Sequence, residues 1–189
     1  QRYDYYCFME DDLVIHDSSM FTKLSWFNHM VGDKALLQPH LYESSAKGPF
    51  YKGYLNGEID PNAARLLQNI SIDYELVGSV MGREMYFRRT TNPHSGCFFL
   101  NHKQMEHWVN QPYFLDGDIS FVDPMASTAT LGITKTFNIY KPGIENADFF
   151  EIEHSHRRYL YQIGTTLSVN RSLFEKIGYR FKSASERED

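Results

Sequence analysis

The stretch that decides the fold reads Tyr3-Asp4-Tyr5-Tyr6-Cys7-Phe8-Met9-Glu10-Asp11-Asp12-Leu13-Val14-Ile15. Its first seven residues form an aromatic run typical of a buried strand, and three adjacent carboxylates follow where that strand ends. Adjacent carboxylates repel one another unless a positive charge lies among them. Oxygen ligands of this kind suit Mg²⁺ or Mn²⁺, which keep several waters and bind substrate phosphates. The alternative interpretation is a solvated acidic turn.

Composition limits the classes of protein to which the chain can belong. Its 189 residues are enough for one hydrophobic core, and we expect a single domain over 1–182 with a frayed charged tail over 183–189. The net charge of −5 lacks the basic footprint of a nucleic-acid-binding protein. No apolar stretch reaches the roughly 18 residues of a membrane span. We therefore expect neither nucleic acid nor a membrane span.

The two cysteines, Cys7 and Cys97, lie in apolar runs and are expected to be buried thiols rather than a disulfide framework. That favours a reducing compartment, the cytoplasm. Two glycosylation sequons, Asn69-Ile70-Ser71 and Asn170-Arg171-Ser172, keep the lumen of the secretory pathway open as an alternative.

Periodicity and turn residues predict a mixed α/β chain. The predicted helices run from Ser18 or Ser19 to about Val31, over 62–68, over 102–110 with Asn101 as the cap, from Asp123-Pro124 to about Leu131, and over 172–176. The predicted strands cover 3–9, 35–42, 71–80, 84–90, 96–100, 135–140 and 149–153. Proline interrupts the second of these strands at Pro39, which favours an edge or a strand end. The strands 71–80 and 84–90 are predicted to form a hairpin around Met81-Gly82-Arg83. Residues 44–61 are predicted to be a long loop.

Aromatic residues make up 15% of the chain, with 13 Tyr and 14 Phe. Tyrosine in such numbers suits a surface that binds sugars or bases, although most aromatic residues are expected to fill the sheets and the core. Trp26, Tyr51 and Tyr54 are candidates for stacking on sugar rings. Trp26 falls in the first predicted helix, which favours a place in the core.

A second acidic segment is Asp116-Gly117-Asp118, which follows Tyr113 and Phe114. A carboxylate at the end of such a loop is suited to take a proton from an attacking hydroxyl. The alternative is that both aspartates cap the following turn through hydrogen bonds to the backbone. The two interpretations carry equal weight from the sequence.

Two further features bear on a metal or substrate site. In His154-Ser155-His156, two imidazoles spaced by one residue face the same side of an extended backbone. Histidine is a common metal ligand, but such a pair is more often structural. Gly96, in the loop Pro93–Phe99, allows close approach of a ligand or of another backbone; an ordinary turn glycine is the alternative.

Several nucleotide-binding and hydrolase motifs are absent from the sequence. It contains no Gly-x-x-x-x-Gly-Lys-Ser/Thr loop, no Gly-x-Gly-x-x-Gly turn, no Gly-x-Ser-x-Gly elbow and no His-Glu-x-x-His. Diphosphate chemistry would therefore need a metal. Asp12 is the first choice of direct ligand, with Asp11 or Glu10 reaching the metal through water or a sugar hydroxyl.

Four segments together resemble the GT-A-fold glycosyltransferases. Tyr6 to Ile15 looks like the carboxylate (DXD-type) motif that holds the metal and the donor diphosphate. His94 to Leu100 is similar to the small-residue segment near the two sugars. Phe114 to Ile119 resembles the acidic segment that supplies the base in inverting members, and His154 or His156 would match the C-terminal histidine that completes the metal shell.

The resemblance implies a mixed sheet flanked by helices, a divalent metal (Mn²⁺ or Mg²⁺), a nucleotide-sugar donor and a glycan or other hydroxyl acceptor. It implies Asp12, His156 and His154 as metal ligands, and Glu10, Asp11 and Gly96 as donor-binding residues. Asp118, then Asp116, would be the base, although the adjacent Glu-Asp pair usual in the family is missing.

Only nine residues precede the acidic triplet, whereas the family normally has roughly a hundred there, including the first nucleotide-binding strands. The resemblance therefore implies the C-terminal part of a GT-A catalytic domain. We expect a glycosyltransferase, a hexosyltransferase or a related enzyme. The rivals are another metal-dependent phosphate-ester enzyme, such as a nucleotidyltransferase or phosphodiesterase, and a non-catalytic carbohydrate-binding module.

Overall fold

The computed structural model describes residues 3–46, 51–55, 57, 59, 75–121, 123–156 and 159–160. The predicted helices 62–68 and 172–176, the first four residues of the predicted strand 71–80 and the tail 183–189 lie outside the described residues.

The described part of the chain contains ten strands, three α-helices and one 3-10 helix. The strands are β1 Tyr5–Met9, β2 Leu13–Val14, β3 Ala35–Leu37, β4 His40–Ser44, β5 Lys52–Tyr54, β6 Glu75–Val80, β7 Arg83–Arg89, β8 Cys97–Asn101, β9 Asn138–Pro142 and β10 Glu151–His154. The helices are α1 Met20–Val31, α2 His102–Val109, α3 Pro124–Thr136 and a 3-10 helix Ile144–Phe149.

The strands form three small sheets with the orders β1-β8, β2-β10-β4-β5 and β3-β9-β7-β6. The pairs β10–β4 and β3–β9 are parallel, and the other pairs are antiparallel. The expectation of an α/β fold with mixed sheets and helices is confirmed. The predicted hairpin is also present, with β6 and β7 joined at Met81-Gly82.

Helix α1 supplies one side of the larger core through Met20, Leu24 and Phe27. Ser19 stands at its N-cap, as the sequence suggested, but its hydroxyl does not cap the helix. It donates instead to Oδ1 of Asp17 at 2.6 Å. The start of α1 is therefore fixed by burial of its apolar stripe rather than by a side-chain cap.

Helix α2 begins at the predicted cap. Oδ1 of Asn101 accepts the backbone N–H of Gln104, and the Gln104 side chain accepts the N–H of Asn101, which completes a capping box. Trp108 of this helix lies in the second core, where Gly132 of α3 leaves room for its ring.

Helix α3 starts as predicted at Asp123-Pro124, where the Asp123 carboxylate accepts the N–H of Ala126. It continues five residues beyond the expected end, so the strand predicted over 135–140 begins only at Asn138. The reason is packing: Leu131, Ile133 and Phe137 are buried, and the last two lie in the second core. Tertiary contacts override the weak helix propensity of the threonines here.

Two predictions about the strands need correction. The predicted loop 44–61 contains β5, which pairs with β4 and is the edge strand of that sheet. The predicted buried strand 3–9 is only half-buried, because β1 pairs with β8 alone among the described strands. Cys7 is consequently exposed, whereas Cys97 is buried as expected and both thiols are free. At Pro39 the chain does break, with β3 ending before it at the edge of its sheet and β4 starting after it.

Candidate functional site

The acidic triplet occupies a tight turn between β1 and β2 rather than the end of an extended strand. The turn is closed by the N–H of Leu13, which donates to the carbonyl of Glu10 at 3.3 Å. Glu10 and Asp12 are half-buried and Asp11 is exposed. The turn thus directs two of the three carboxylates toward the protein.

Strand β10 brings the C-terminal histidines to this turn. It pairs antiparallel with β2, with His154 opposite Leu13, and the N–H of Ser155 donates to the carbonyl of Asp12 at 2.8 Å. Residues more than 140 positions apart in the chain are therefore fixed next to each other by backbone hydrogen bonds.

The three predicted metal ligands meet at one atom. Oδ2 of Asp12 lies 3.1 Å from Nε2 of His154 and 3.2 Å from Nδ1 of His156. The His154 side chain is largely buried, whereas that of His156 is exposed. Oδ1 of Asp12 is buried and has no hydrogen-bond partner among the described residues. A buried carboxylate oxygen without a partner is costly, which favours a cation beside it.

Glu43 is a member of this site that sequence reasoning missed. Its carboxylate is fully buried and lies 3.0 Å from Nδ1 of His154, which also lies 2.8 Å from the carbonyl oxygen of His156. Both neighbours of Nδ1 are acceptors, so Nδ1 carries a hydrogen. Glu43 also accepts the backbone N–H groups of Tyr159 and Leu160, at 3.2 and 2.5 Å.

The donor set, one carboxylate and two imidazoles, fits a divalent cation in the kind of its ligand atoms. Two ligands bound side by side to one octahedral Mg²⁺ or Mn²⁺ lie about 3 Å apart, close to the Asp12–His154 separation. Within the described ranges, however, no group of three His, Cys, Asp or Glu side chains surrounds an ion-sized centre. The histidine nitrogens instead converge on a single carboxylate oxygen, as hydrogen-bonded side chains do.

Gly96 lies against the backbone of Glu10. This is the close approach of another backbone that the sequence analysis considered for this glycine. Its carbonyl accepts the N–H of Glu10 at 3.0 Å, and its φ of +58° is in the left-handed region. Burial raises the pKa of the Glu10 carboxyl, and the negative charges of Asp12 and Asp123 raise it further. Glu10 is therefore harder to ionise than a free glutamate, because its surroundings are both buried and electronegative.

Asp116 and Asp118 are tied to Lys135 of α3, at 2.9 and 3.0 Å from its Nζ. Both aspartates also cap the turn, which is the second of the two interpretations of this segment. Asp116 accepts the N–H of Asp118, and Asp118 accepts the N–H of Ser120. Hydrogen bonds from Ser120 and Lys135 lower the pKa of Asp118 to about 2. Lys135 and the N–H of Asp118 also lower the pKa of Asp116.

The segment just before Gly96 contacts a buried lysine, Lys141, that the sequence analysis did not single out. The amine of Lys141 donates to the carbonyl of His94 at 3.2 Å, and the His94 ring lies 3.0 Å from the hydroxyl of Thr130 in α3. Burial lowers the pKa of Lys141 to about 7 and that of His94 to about 4, the latter with help from the Lys141 charge. Burial therefore disfavours the charged form of both groups.

The aromatic candidates lie in different surroundings. The ring of Trp26 packs against Phe87 and Phe149 and covers Gly78, so it belongs to the core. The hydroxyl of Tyr54 donates to Glu151 at 2.7 Å. Tyr51 is exposed, and it is the candidate with the most open ring.

The described helices include none long and apolar enough to cross a membrane. The chain matches no family model, no curated protein and no solved structure among those compared with it.

Proposed function

We propose that the chain is a metal-dependent glycosyltransferase with a GT-A-like fold, which moves a sugar from a nucleotide-diphosphate donor to an acceptor hydroxyl. One observation carries the proposal: Asp12 of the N-terminal acidic turn and His154 and His156 of the C-terminal strand meet within 3.2 Å. This is the pairing of segments that the resemblance implies, and it arises here from the β2–β10 ladder.

Asp12, His154 and His156 would hold Mn²⁺ or Mg²⁺. When bound, the ion would offset the negative charge on the departing nucleoside diphosphate. Glu10 and Asp11 would reach water or sugar hydroxyls beside it. The resemblance would place Gly96 beside the donor, and its lack of a side chain leaves room for the Glu10 carboxylate, whose Oε2 would lie 2.7 Å from a Cβ at residue 96.

Asp118, and in second place Asp116, would accept the proton of the acceptor hydroxyl. A carboxylate whose pKa is about 2 is a weak base, so this role requires the acceptor to displace Lys135 from the carboxylate. The exposed ring of Tyr51 would offer a stacking surface to a glycan. We further propose that the protein works in the cytoplasm.

The test is to incubate the protein with a panel of nucleotide-sugars, Mn²⁺ and simple glycan acceptors, and to measure free nucleoside diphosphate together with glycosylated product. We expect turnover with at least one donor, lost on addition of a chelator. Asp12→Ala should abolish both turnover and Mn²⁺-dependent donor binding. Asp148→Ala, which removes an exposed aspartate on the 3-10 helix, is the matched control and should retain both.

The rival functions give different results in the same assay. Hydrolysis of phosphate esters without sugar transfer would assign the carboxylates to a phosphate-ester enzyme. Glycan binding that survives Asp12→Ala, with no turnover of any donor, would identify a carbohydrate-binding module. Either result overturns the proposal.

A further inference from the structure

The Glu43 carboxyl group is fully buried, yet it lies outside the set of groups that would touch a donor or an acceptor. A buried carboxylate is tolerated only when its oxygens are well satisfied. Here three donors satisfy it: Nδ1 of His154 and the backbone N–H groups of Tyr159 and Leu160. One side chain thus joins the imidazole of the candidate metal site to a later part of the chain.

The placement of Glu43 follows from the parallel pairing of β4 with β10. Tyr42 lies opposite Glu153, so the next residues in register, Glu43 and His154, are neighbours on the same face. Leu41 and Ile152 point to that face as well, and both are buried. Glu43 is therefore held by a strand in the interior of its sheet, which gives it little freedom to follow the histidine if the ring moves.

We propose that Glu43 is a positioning residue that couples divalent-cation binding at Asp12, His154 and His156 to docking of the Tyr159–Leu160 segment. By accepting the Nδ1 hydrogen of His154, Glu43 fixes the ring and leaves Nε2, the nitrogen that faces Asp12, as the donor atom for a cation. The same carboxylate holds two backbone amides of the later segment. Cation binding that fixes the His154 ring also fixes the Glu43 carboxylate, which strengthens its hydrogen bonds to Tyr159 and Leu160. The coupling is reciprocal, so docking of the two amides strengthens cation binding.

The inference rests on the proposed metal site, and hydrogen exchange tests it without an activity assay. In the wild-type chain, saturating Mn²⁺ should slow amide exchange at Tyr159 and Leu160. Glu43→Gln keeps the size of the side chain and one carbonyl acceptor but removes the charge. It should weaken Mn²⁺ binding about 10- to 100-fold and speed exchange at the two amides about tenfold in metal-free protein.

Glu151→Gln is the matched control. Glu151 lies on the same strand as His154, but its carboxylate bonds Lys52 and Tyr54. The Glu151→Gln substitution removes an equal charge from β10. It should leave the Mn²⁺ affinity and the amide exchange at Tyr159 and Leu160 unchanged.

The outcomes separate this inference from the proposed function. A wild-type chain that binds no Mn²⁺ overturns the metal site and the coupling together. A wild-type chain that binds Mn²⁺ without slowing exchange at Tyr159 and Leu160 overturns the coupling alone, and this measurement needs no variant to fold. Equal Mn²⁺ affinity in wild type and Glu43→Gln overturns the positioning role while the proposed transferase stands.

Discussion

Gly96 and Glu10 are in contact through both backbone and side chain. The carbonyl of Gly96 accepts the Glu10 N–H at 3.0 Å, and a methyl group placed on Gly96 would lie 2.7 Å from Oε2 of Glu10. The Glu10 carboxylate can therefore keep its position only because residue 96 has no side chain. This contact fixes where the Glu10 carboxylate lies relative to Asp12.

We predict that Gly96→Ala costs about 1–2 kcal/mol of unfolding free energy through its positive φ and, in addition, displaces the Glu10 carboxylate. The displacement of the Glu10 carboxylate should also weaken Mn²⁺ binding. Gly117→Ala is the matched control, because Gly117 also has a positive φ, of 70°, but has open space around it. Urea unfolding and Mn²⁺ titration of both variants make the comparison. Equal Mn²⁺ affinity in the two variants would contradict the prediction.

A second prediction concerns Trp26 and Gly78. A methyl group on Gly78 would lie 2.6 Å from the Trp26 ring and 2.6 Å from Sδ of Met30. Alanine is normally favoured over glycine in a strand by about 0.5–1 kcal/mol. We expect the opposite here, a loss of about 1–3 kcal/mol from overpacking.

Chemical denaturation of Gly78→Ala measures this cost, and Ser79→Ala on the exposed face of the same strand is the control, expected within about 0.5 kcal/mol of wild type. Glycan binding should be unchanged in both variants because Trp26 is a core residue. A more stable Gly78→Ala chain would show that the Trp26 ring is not packed as described.

Local sequence signals predicted those elements whose boundaries are set locally. Asn101, Asp123 with Pro124, and the turn at Met81-Gly82 predicted two helix starts and a hairpin correctly, because caps and turns depend on neighbouring residues. The far end of α3 and the short β5 were missed. Both depend on partners distant in the chain, the second core for α3 and β4 for β5.

The candidate site divides in the same way. The carboxylates and histidines were visible as unusual clusters, and the order of segments in the resemblance predicted that Asp12 would meet His154 and His156. Glu43 was missed because a single glutamate in a strand next to Pro39 has no local signal of burial. The alternation of Leu41 and Glu43 on one face was the available clue, and only the pairing of β4 with β10 shows its meaning.

A third prediction concerns Asp118. Lys135→Met removes one of the groups that stabilise the ionised carboxylate, so the pKa of Asp118 should rise from about 2 while its hydrogen bond from Ser120 remains. Carboxyl NMR titration measures the change, and stability should hardly alter because the pair is at the surface. If Asp118 is the base, the acid limb of the pH–rate profile should move to higher pH with it.

The companion variant Asp118→Asn should then lower kcat by a factor of about 10² to 10⁴. Asp116→Asn should have a smaller effect on kcat. Activity that is unchanged in Asp118→Asn would leave Asp116 and Asp118 with only their turn-forming role.

The last prediction follows from the buried amine of Lys141, whose pKa of about 7 lies below the 10.5 of a free lysine side chain. Between those two pH values the unfolded chain binds a proton that the folded chain does not, so this group makes the unfolding free energy rise with pH across that window. Below pH 7 both states are protonated, and the folded state carries the full cost of a buried charge.

Lys141→Met removes this cost and also loses the hydrogen bond from Lys141 to the His94 carbonyl, about 1 kcal/mol at any pH. The difference in unfolding free energy between variant and wild type should therefore favour the variant most at pH 6. It should shift toward wild type by on the order of 3 kcal/mol by pH 10. Lys103→Met removes an exposed lysine and should show no such shift. Parallel pH profiles for Lys141→Met and wild type would mean that the amine is solvated in the folded chain.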